Sequence, residues 1–294
     1  MTDLISHPDT LSRSAAIDAA QPICRVPQDP ALIASLADQF SNADPFPHVV
    51  LDDVLTIPFN EVARAFPDPD WPSWAKWEDH YQAEKRYCGN FSTMPGLMQR
   101  IIAELSQPAF LGFLEQISGI PALMPDPYLE GGGLHSSGAG GILAPHTDFH
   151  LLQRLNLYRQ INIILYLNEH WEEDWGGCLG LYRKGDKDPT RVVVPSFGRM
   201  VIFRTDHNSV HGFAVPVAPG HRRNSIALYY YTAQDSEEFG GDTTTYWHQH
   251  GDLSARGKVQ LALHQRLLGL STMVSKAAHR LNPHVGNFRT GTKK

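Results

Sequence analysis

The chain has little cysteine. Cys24, Cys88 and Cys178 are the only three in 294 residues; they lie far apart and their number is odd. That pattern excludes a disulfide framework and a Cys-x-x-Cys metal site, and it suits a reducing compartment. Long apolar runs are also missing, and no stretch approaches the roughly 18 residues of a membrane span. The opening MTDLISHPDTLSRS has no basic start followed by an apolar block, so no secretory signal is expected and a cytoplasmic location is. There is no internal repeat. Acidic residues vanish from the end of the chain: from Ala255 to Lys294 there are eight Lys or Arg and no Asp or Glu. The rest carries 17 basic against 31 acidic side chains. An acidic body repels nucleic acid, which needs basic surface to replace phosphate counterions, so no nucleic-acid partner is expected.

Hydrophobic residues make up 42% of the chain, enough for a core, and 24 glycines with 21 prolines mark a turn-rich globular protein. Residues 1–28 are polar and aperiodic and are expected to be flexible. Leu32, Leu36 and Phe40 recur at helical spacing, predicting a helix that ends near Asn42. A strand is predicted at His48–Leu51 and a helix from Phe59 to Phe66, stopped by Pro67 and Pro69. The aromatic and charged SWAKWEDHYQAEKRYC gives no clear state. Two helices are predicted on either side of Pro108. Beyond Pro121 the texture changes. Short segments rich in Val, Ile and Tyr (INIILYLN, CLGLYR, TRVVVPS, RMVIFR, HGFAVPV, SIALYYYT) follow one another without a helical pattern. Helices followed by an unbroken run of strands predict a mainly β fold, a helix-supported barrel or jelly roll. The expected organisation is one domain over 29–250: a helical support region with the opening strand (29–125) and a jelly-roll core (126–235). Residues 251–294 read as a basic amphipathic helix and tail, serving packing or a homodimer contact, with a membrane-surface or carrier-protein contact as the alternative.

The stretch LAPHTDFH carries the first chemical signal. Read as the beginning of a strand, it points His146 and Asp148 to one face, with His150 next along that face. One nitrogen and one carboxylate oxygen can then reach a single ion. His207 and His211 are the distant candidates for a further nitrogen. Two histidines and a carboxylate on one side of a metal leave positions open, as in non-haem Fe(II) oxygenases, whereas structural zinc sites are closed. With 15 histidines in the chain the triplet alone is weak. The segment GHRRNSIALYYYT strengthens it. Arg223, Ser225 and Ala227 alternate onto one face of a strand, and an arginine entering a barrel needs an anion there.

Taken together, His146-Thr147-Asp148, INIILYLNEHWEEDWGGCLGLY, His211 and Arg223-Asn224-Ser225-Ile226 resemble the prolyl 4-hydroxylase-like branch of the Fe(II)/2-oxoglutarate-dependent oxygenases, over roughly 130–232. The resemblance implies a double-stranded β-helix with Fe(II) held by His146, Asp148 and His211. It implies that 2-oxoglutarate is bound by Arg223, with Ser225 and Tyr166 beside it, and that O2 is the second cosubstrate, with ascorbate as an accessory reductant. Arg159 matches a position that faces substrate in some relatives; His135 and His150 are further substrate candidates. Relatives that halogenate lack the carboxylate ligand, and Asp148 is present, so hydroxylation of an unactivated C–H bond is implied, with release of succinate and CO2. The substrate is expected to be a small molecule or a tethered biosynthetic intermediate. The competing readings are a hydroxylase of prolyl or other residues in a protein, a zinc hydrolase, and a non-catalytic jelly-roll metal-binding protein.

Overall fold

The computed structural model describes residues 21–234 apart from 80, residues 245–247, and separate positions between 259 and 281. In chain order the elements are α1 (Pro30–Asn42), β1 (His48–Leu51), α2 (Phe59–Ala65), β2 (Ala75–Trp77), β3 (Gln82–Cys88), α3 (Gly96–Glu104), α4 (Pro108–Ser118) and β4 (Met124–Pro125). Then come β5 (Gly133–Thr147), β6 (Leu151–Leu152), β7 (Leu157–Tyr166), β8 (Leu179–Tyr182), β9 (Arg191–Val193), β10 (Met200–Arg204), β11 (Val210–Phe213), β12 (Arg223–Thr232) and β13 (Tyr246–Trp247). All strand pairings are antiparallel, and the main path runs β1-β10-β7-β12-β5-β11-β8-β9. The end of α1, the strand β1 and the helix α2 stand within a residue of their expected bounds, and two helices lie about Pro108, the second opening on it.

β5 explains how one sheet becomes a jelly roll. Its first residues, 133–137, pair with β12, while His146 and Leu143 near its end pair with β11. A single strand thus passes from the major layer to the minor one, and the curled sheet encloses an interior. Alternation sorts the side chains. Ile161, Ile163 and Leu165 of β7 and Ile226, Leu228 and Tyr230 of β12 turn outward onto the helices and are fully or almost fully buried. Burial of each such aliphatic side chain contributes roughly 1.5–3 kcal/mol. Asn162, Tyr166, Arg223 and Ser225 take the opposite face, inside the roll.

The helices are set by local signals. Asp29 accepts a hydrogen bond from the Ala31 amide at the start of α1, which opens on Pro30. α4 opens on Pro108 and ends on Gly119 in the left-handed region. Their apolar faces join the outer core through Leu36, Phe40, Phe110 and Phe113.

Four expectations change. Residues 21–28 are not loose: Ile23 and Cys24 are buried, and their amides donate to the Glu104 carboxylate at 2.7 and 2.8 Å. Residues 1–20 lie outside the described residues. The segment of unclear state is the hairpin β2–β3, and β3 pairs with β5. The support region is therefore partly sheet. The glycine-rich stretch with His135 is strand, so LAPHT ends β5 and does not begin it, and Asp148 stands one residue beyond. The β structure also runs past 235, since β13 pairs with β5 at Thr147 and His146. At the chain's end, the described positions Val259, Leu263, Leu267, Leu270, Val274 and Leu281 are helical, and all are exposed. None of the described helices is long and apolar enough to cross a membrane.

Candidate metal and cosubstrate site

His146 of β5 and His211 of β11 are direct cross-strand partners, with ring centroids 4.5 Å apart. Asp148 closes the group. Its Oδ1 lies 3.5 Å from His146 Nε2 and its Oδ2 lies 3.6 Å from His211 Nε2. One ligand atom from each of the three lies within 4.8 Å of the others, and all three residues are buried. No other such group exists among the described residues.

Each imidazole is oriented by its own strand. His146 Nδ1 lies 2.8 Å from the Ala144 carbonyl, and His211 Nδ1 lies 2.9 Å from the Ser209 carbonyl. A carbonyl only accepts, so both Nδ1 atoms carry the proton, and in the neutral ring Nε2 presents a lone pair. Burial, with His146 adding to it, pushes His211 down to about 4, so that ring is neutral at pH 7. Burial alone would raise Asp148. The Arg159 guanidinium and the two histidines outweigh it and hold this carboxyl well below the usual carboxylate range. The His211 Nε2 lone pair, the Asp148 anion and the His146 Nε2 thus converge in a buried site. They repel one another unless a cation stands among them. The donor set fits Fe(II) in a two-histidine, one-carboxylate arrangement.

Asp148 is itself held. Asn162 Nδ2 donates to its Oδ2, and Arg159 Nη1 approaches the same oxygen at 3.1 Å. Oδ1 is left turned towards His146. Arg159 is fully buried, and its guanidinium lies between the rings of Tyr229 and Phe149, 3.7 and 3.9 Å from their centroids. None of its three nitrogens has a hydrogen bond of good geometry among the described residues; Asp148 pairs with it as an ion without hydrogen-bond alignment, and the Tyr231 hydroxyl acts on it at close range. His150 is buried and its carbonyl accepts from the Arg159 amide at 2.7 Å, but it stands outside the ligand group. His207 is exposed in the turn before β11.

On the same inner face Arg223 is buried, while Arg222 is half-exposed. Arg223 Nε donates to the Gly177 carbonyl at 2.7 Å and Nη2 to the Tyr166 hydroxyl at 3.1 Å. The rings of Phe213 and Tyr166 lie 4.4 and 4.9 Å from its guanidinium carbon. Gly177 has φ +64°, and a Cβ there would come within 2.9 Å of Val217 and 3.3 Å of the arginine stem, so only glycine lets this carbonyl reach Arg223. Among the described residues no carboxylate pairs with Arg223. A buried guanidinium with unused N–H groups is an anion receptor waiting for its anion. Ser225 pairs with Tyr166 on one side and His135 on the other, in the row next to Arg223.

His135 lies on that wall with its Nε2 buried and without a hydrogen-bond partner among the described residues. Burial first, then Lys85 and Arg223, hold it well below its ordinary range, so it is neutral. Sequence reasoning missed Asn162, Phe149, Lys85 and Trp247. Trp247 of β13 lies over His146 with centroids 5.0 Å apart and stacks on Tyr81 at 4.9 Å. A signal existed for Asn162 alone: an amide at an inward position of the apolar INIILYLN.

Residues 132–231 match the family described as the 2OG-Fe(II) oxygenase superfamily. No curated protein matches the chain. Among solved structures, the fold is similar to a prolyl-4-hydroxylase of Pseudomonas putida at 16% identity and TM-score 0.47, covering 69% of this chain and 100% of that one. It is similar to the epimerase SnoN in complex with Fe3+, alpha ketoglutarate and nogalamycin RO at 16% identity and TM-score 0.49, covering 78% and 93%. A prolyl hydroxylase of Trichoplax adhaerens in complex with a hypoxia inducible factor peptide fragment gives 16% identity and TM-score 0.47, covering 68% and 89%.

Proposed function

Since residues 132–231 form the domain of a 2-oxoglutarate-dependent non-haem iron oxygenase, we propose that the protein hydroxylates an unactivated C–H bond of a small molecule or tethered intermediate. The observation that carries this is the convergence of His146 Nε2, His211 Nε2 and the Asp148 carboxylate beside a buried Arg223 that lacks an acidic partner among the described residues. Fe(II) and 2-oxoglutarate supply the oxidising chemistry when bound: O2 gives one oxygen atom to the substrate C–H and one to succinate as CO2 leaves.

The chain's own residues do the rest. His146, Asp148 and His211 hold the ion, and the two backbone carbonyls fix which nitrogen each ring offers. Asn162 holds Asp148 in one rotamer. Arg223 receives the far carboxylate of 2-oxoglutarate, with the Tyr166 hydroxyl and Ser225 beside it. Arg159, Tyr229 and Phe149 form a wall beside Asp148, where the orphan guanidinium donors orient a polar group of the substrate. Trp247 and Tyr81 cover His146 and exclude water from that side. A hydroxylase of protein residues would use the same machinery; the buried Arg159 donors favour a small ligand that can enter fully. A homodimer through the C-terminal helix belongs to the same proposal. Leu263, Leu267, Leu270, Val274 and Leu281 repeat at near-heptad spacing and are exposed, so scattering should read twice the mass of one chain.

The test is succinate formation from 2-oxoglutarate in the presence of Fe(II), stimulated by candidate small molecules. His146→Ala should abolish iron retention and all succinate formation. Activity that ignores 2-oxoglutarate, or normal iron content in that variant, refutes the assignment.

A further inference from the structure

Lys85 has no place in the chemistry described so far. It is the third residue of the site wall that carries a positive charge, and the register of the sheet puts it there. In β5, Ser137 is paired with Lys85 of β3 on one side and with Arg223 of β12 on the other. The next row is Tyr87, His135, Ser225 and Tyr166. Directly opposed residues of antiparallel strands share a face. Lys85 therefore faces the same interior as Arg223, two strand spacings away, or roughly 10 Å between backbones. Alternation with Tyr87 fixes this aim; the β3–β5 register shifts only before it, between Ala83 and Lys85, where Glu84 has φ 49° and is exposed. Glu84 and Arg86 then pair with each other on the outer face.

Lys85 has no ion pair or hydrogen bond among the described residues. Asp79, the acidic group of the same hairpin, is occupied by the amides of Tyr81 and Gln82 and by the Gln82 side chain. Lys85 is half-buried, and burial, reinforced by Arg223 and opposed by Asp148 and Asp79, brings its ammonium down to about 8. Among the described residues Lys85, Arg159 and Arg223 face an interior in which Asp148 is the carboxylate paired with Arg159, while Asp79 acts on Lys85 from the edge of the hairpin. A dication and a dicarboxylate cancel one another, so loading with Fe(II) and 2-oxoglutarate leaves that positive excess in place. Among the described residues Lys85 therefore keeps an open position for an anion, and a substrate carboxylate fits it.

We propose that Lys85 is the specificity-determining residue of the site, and that it receives a carboxylate of a small-molecule substrate. The inference rests on the oxygenase reading for what happens next, but not for binding. The two are therefore tested separately.

The full chain, loaded with Fe(II) and 2-oxoglutarate under argon, is treated with trace acetic anhydride, and acetylation of Lys85 is read by mass spectrometry of its peptide. The ligands offered are small carboxylic acids, each beside its primary amide. At least one acid should slow labelling fivefold or more while its amide does not, and 2-oxoglutarate alone should change the rate by less than twofold. In air the protecting acid should stimulate 2-oxoglutarate consumption. Lys85→Gln should raise the KM for that acid at least tenfold while the cosubstrate KM stays within twofold, and Lys85→Arg should restore part of the loss. Protection by 2-oxoglutarate itself would place Lys85 in the cosubstrate site and overturn the proposal. So would amides that protect as well as acids, or no protection by any acid. Protection without 2-oxoglutarate consumption would sink the oxygenase reading and leave Lys85 as an anion receptor.

Discussion

Replacing Arg223 with methionine separates a structural arginine from a receptor. In the protein the guanidinium makes two hydrogen bonds to neutral acceptors, the Gly177 carbonyl and the Tyr166 hydroxyl, and no ion pair among the described residues. Nη1 and one proton of Nη2 are unused. If they bind a cosubstrate carboxylate through two charge-assisted hydrogen bonds, each contributes about 1.5–3 kcal/mol. The pair is then about 3–6 kcal/mol, or roughly two to four decades in Kd. The effect on folding has a different size. Methionine fills much of the slot between Phe213 and Tyr166 and removes a buried charge that lacks a counter-ion, which offsets the two lost neutral acceptors. The expected result is a melting temperature of the cosubstrate-free protein changed by only a few degrees. The 2-oxoglutarate Kd, titrated by calorimetry on the iron-loaded protein under argon, should weaken at least a hundredfold. Arg223→Lys, which keeps charge but not the planar fork, should fall between. An unchanged Kd in the methionine variant refutes the receptor; a collapse of stability with unchanged affinity makes Arg223 a core strut.

Two further outcomes follow from the same geometry. Asn162→Leu removes the neutral donor that fixes Asp148 without altering any charge, and should weaken iron affinity about 10- to 100-fold in a chelator competition; full affinity would mean that Asp148 needs no such anchor. The metal-free protein should lose stability as pH falls. His211 binds its proton at about 4 when folded and near 6.5 when unfolded, so between those values the unfolded chain binds more protons and is favoured. The loss attributable to this ring reaches at most about 3 kcal/mol, read as the difference in urea midpoint between wild type and His211→Gln from pH 7 to 4. Parallel curves for the two proteins would refute it.

The site was largely legible where alternation is strict. In RNSIALYYY the period of two sends Arg223 and Ser225 one way and Ile226 and Leu228 the other, and the sheet keeps that division. It was illegible where glycine disguises a strand or where no apolar face marks the inward side. GGGLHSSGAGG looks like a loop, yet Gly133 is glycine because a Cβ there would meet the Cys88 carbonyl at 2.2 Å. It permits close approach of β3, not a turn. Lys85 keeps the alternation of Tyr87, but the polar and charged QAEKRYC has no apolar face to say which side looks inward. Trp247 lies a hundred residues from His146 in a segment without strand pattern, and only the tertiary fold brings them together.

Both imidazoles of the candidate metal site are locked by the carbonyl two residues earlier in their own strands, Ala144 for His146 and Ser209 for His211. Neither ring waits for an ion to orient it. Such a rigid, ready-made nest discriminates poorly among divalent ions of similar radius, and its preference follows the intrinsic order in which copper, nickel and zinc outbid iron. Which ion fills it is then decided by supply. Protein purified over a nickel column, or from cells short of ferrous iron, should carry an inert occupant until it is stripped and reloaded.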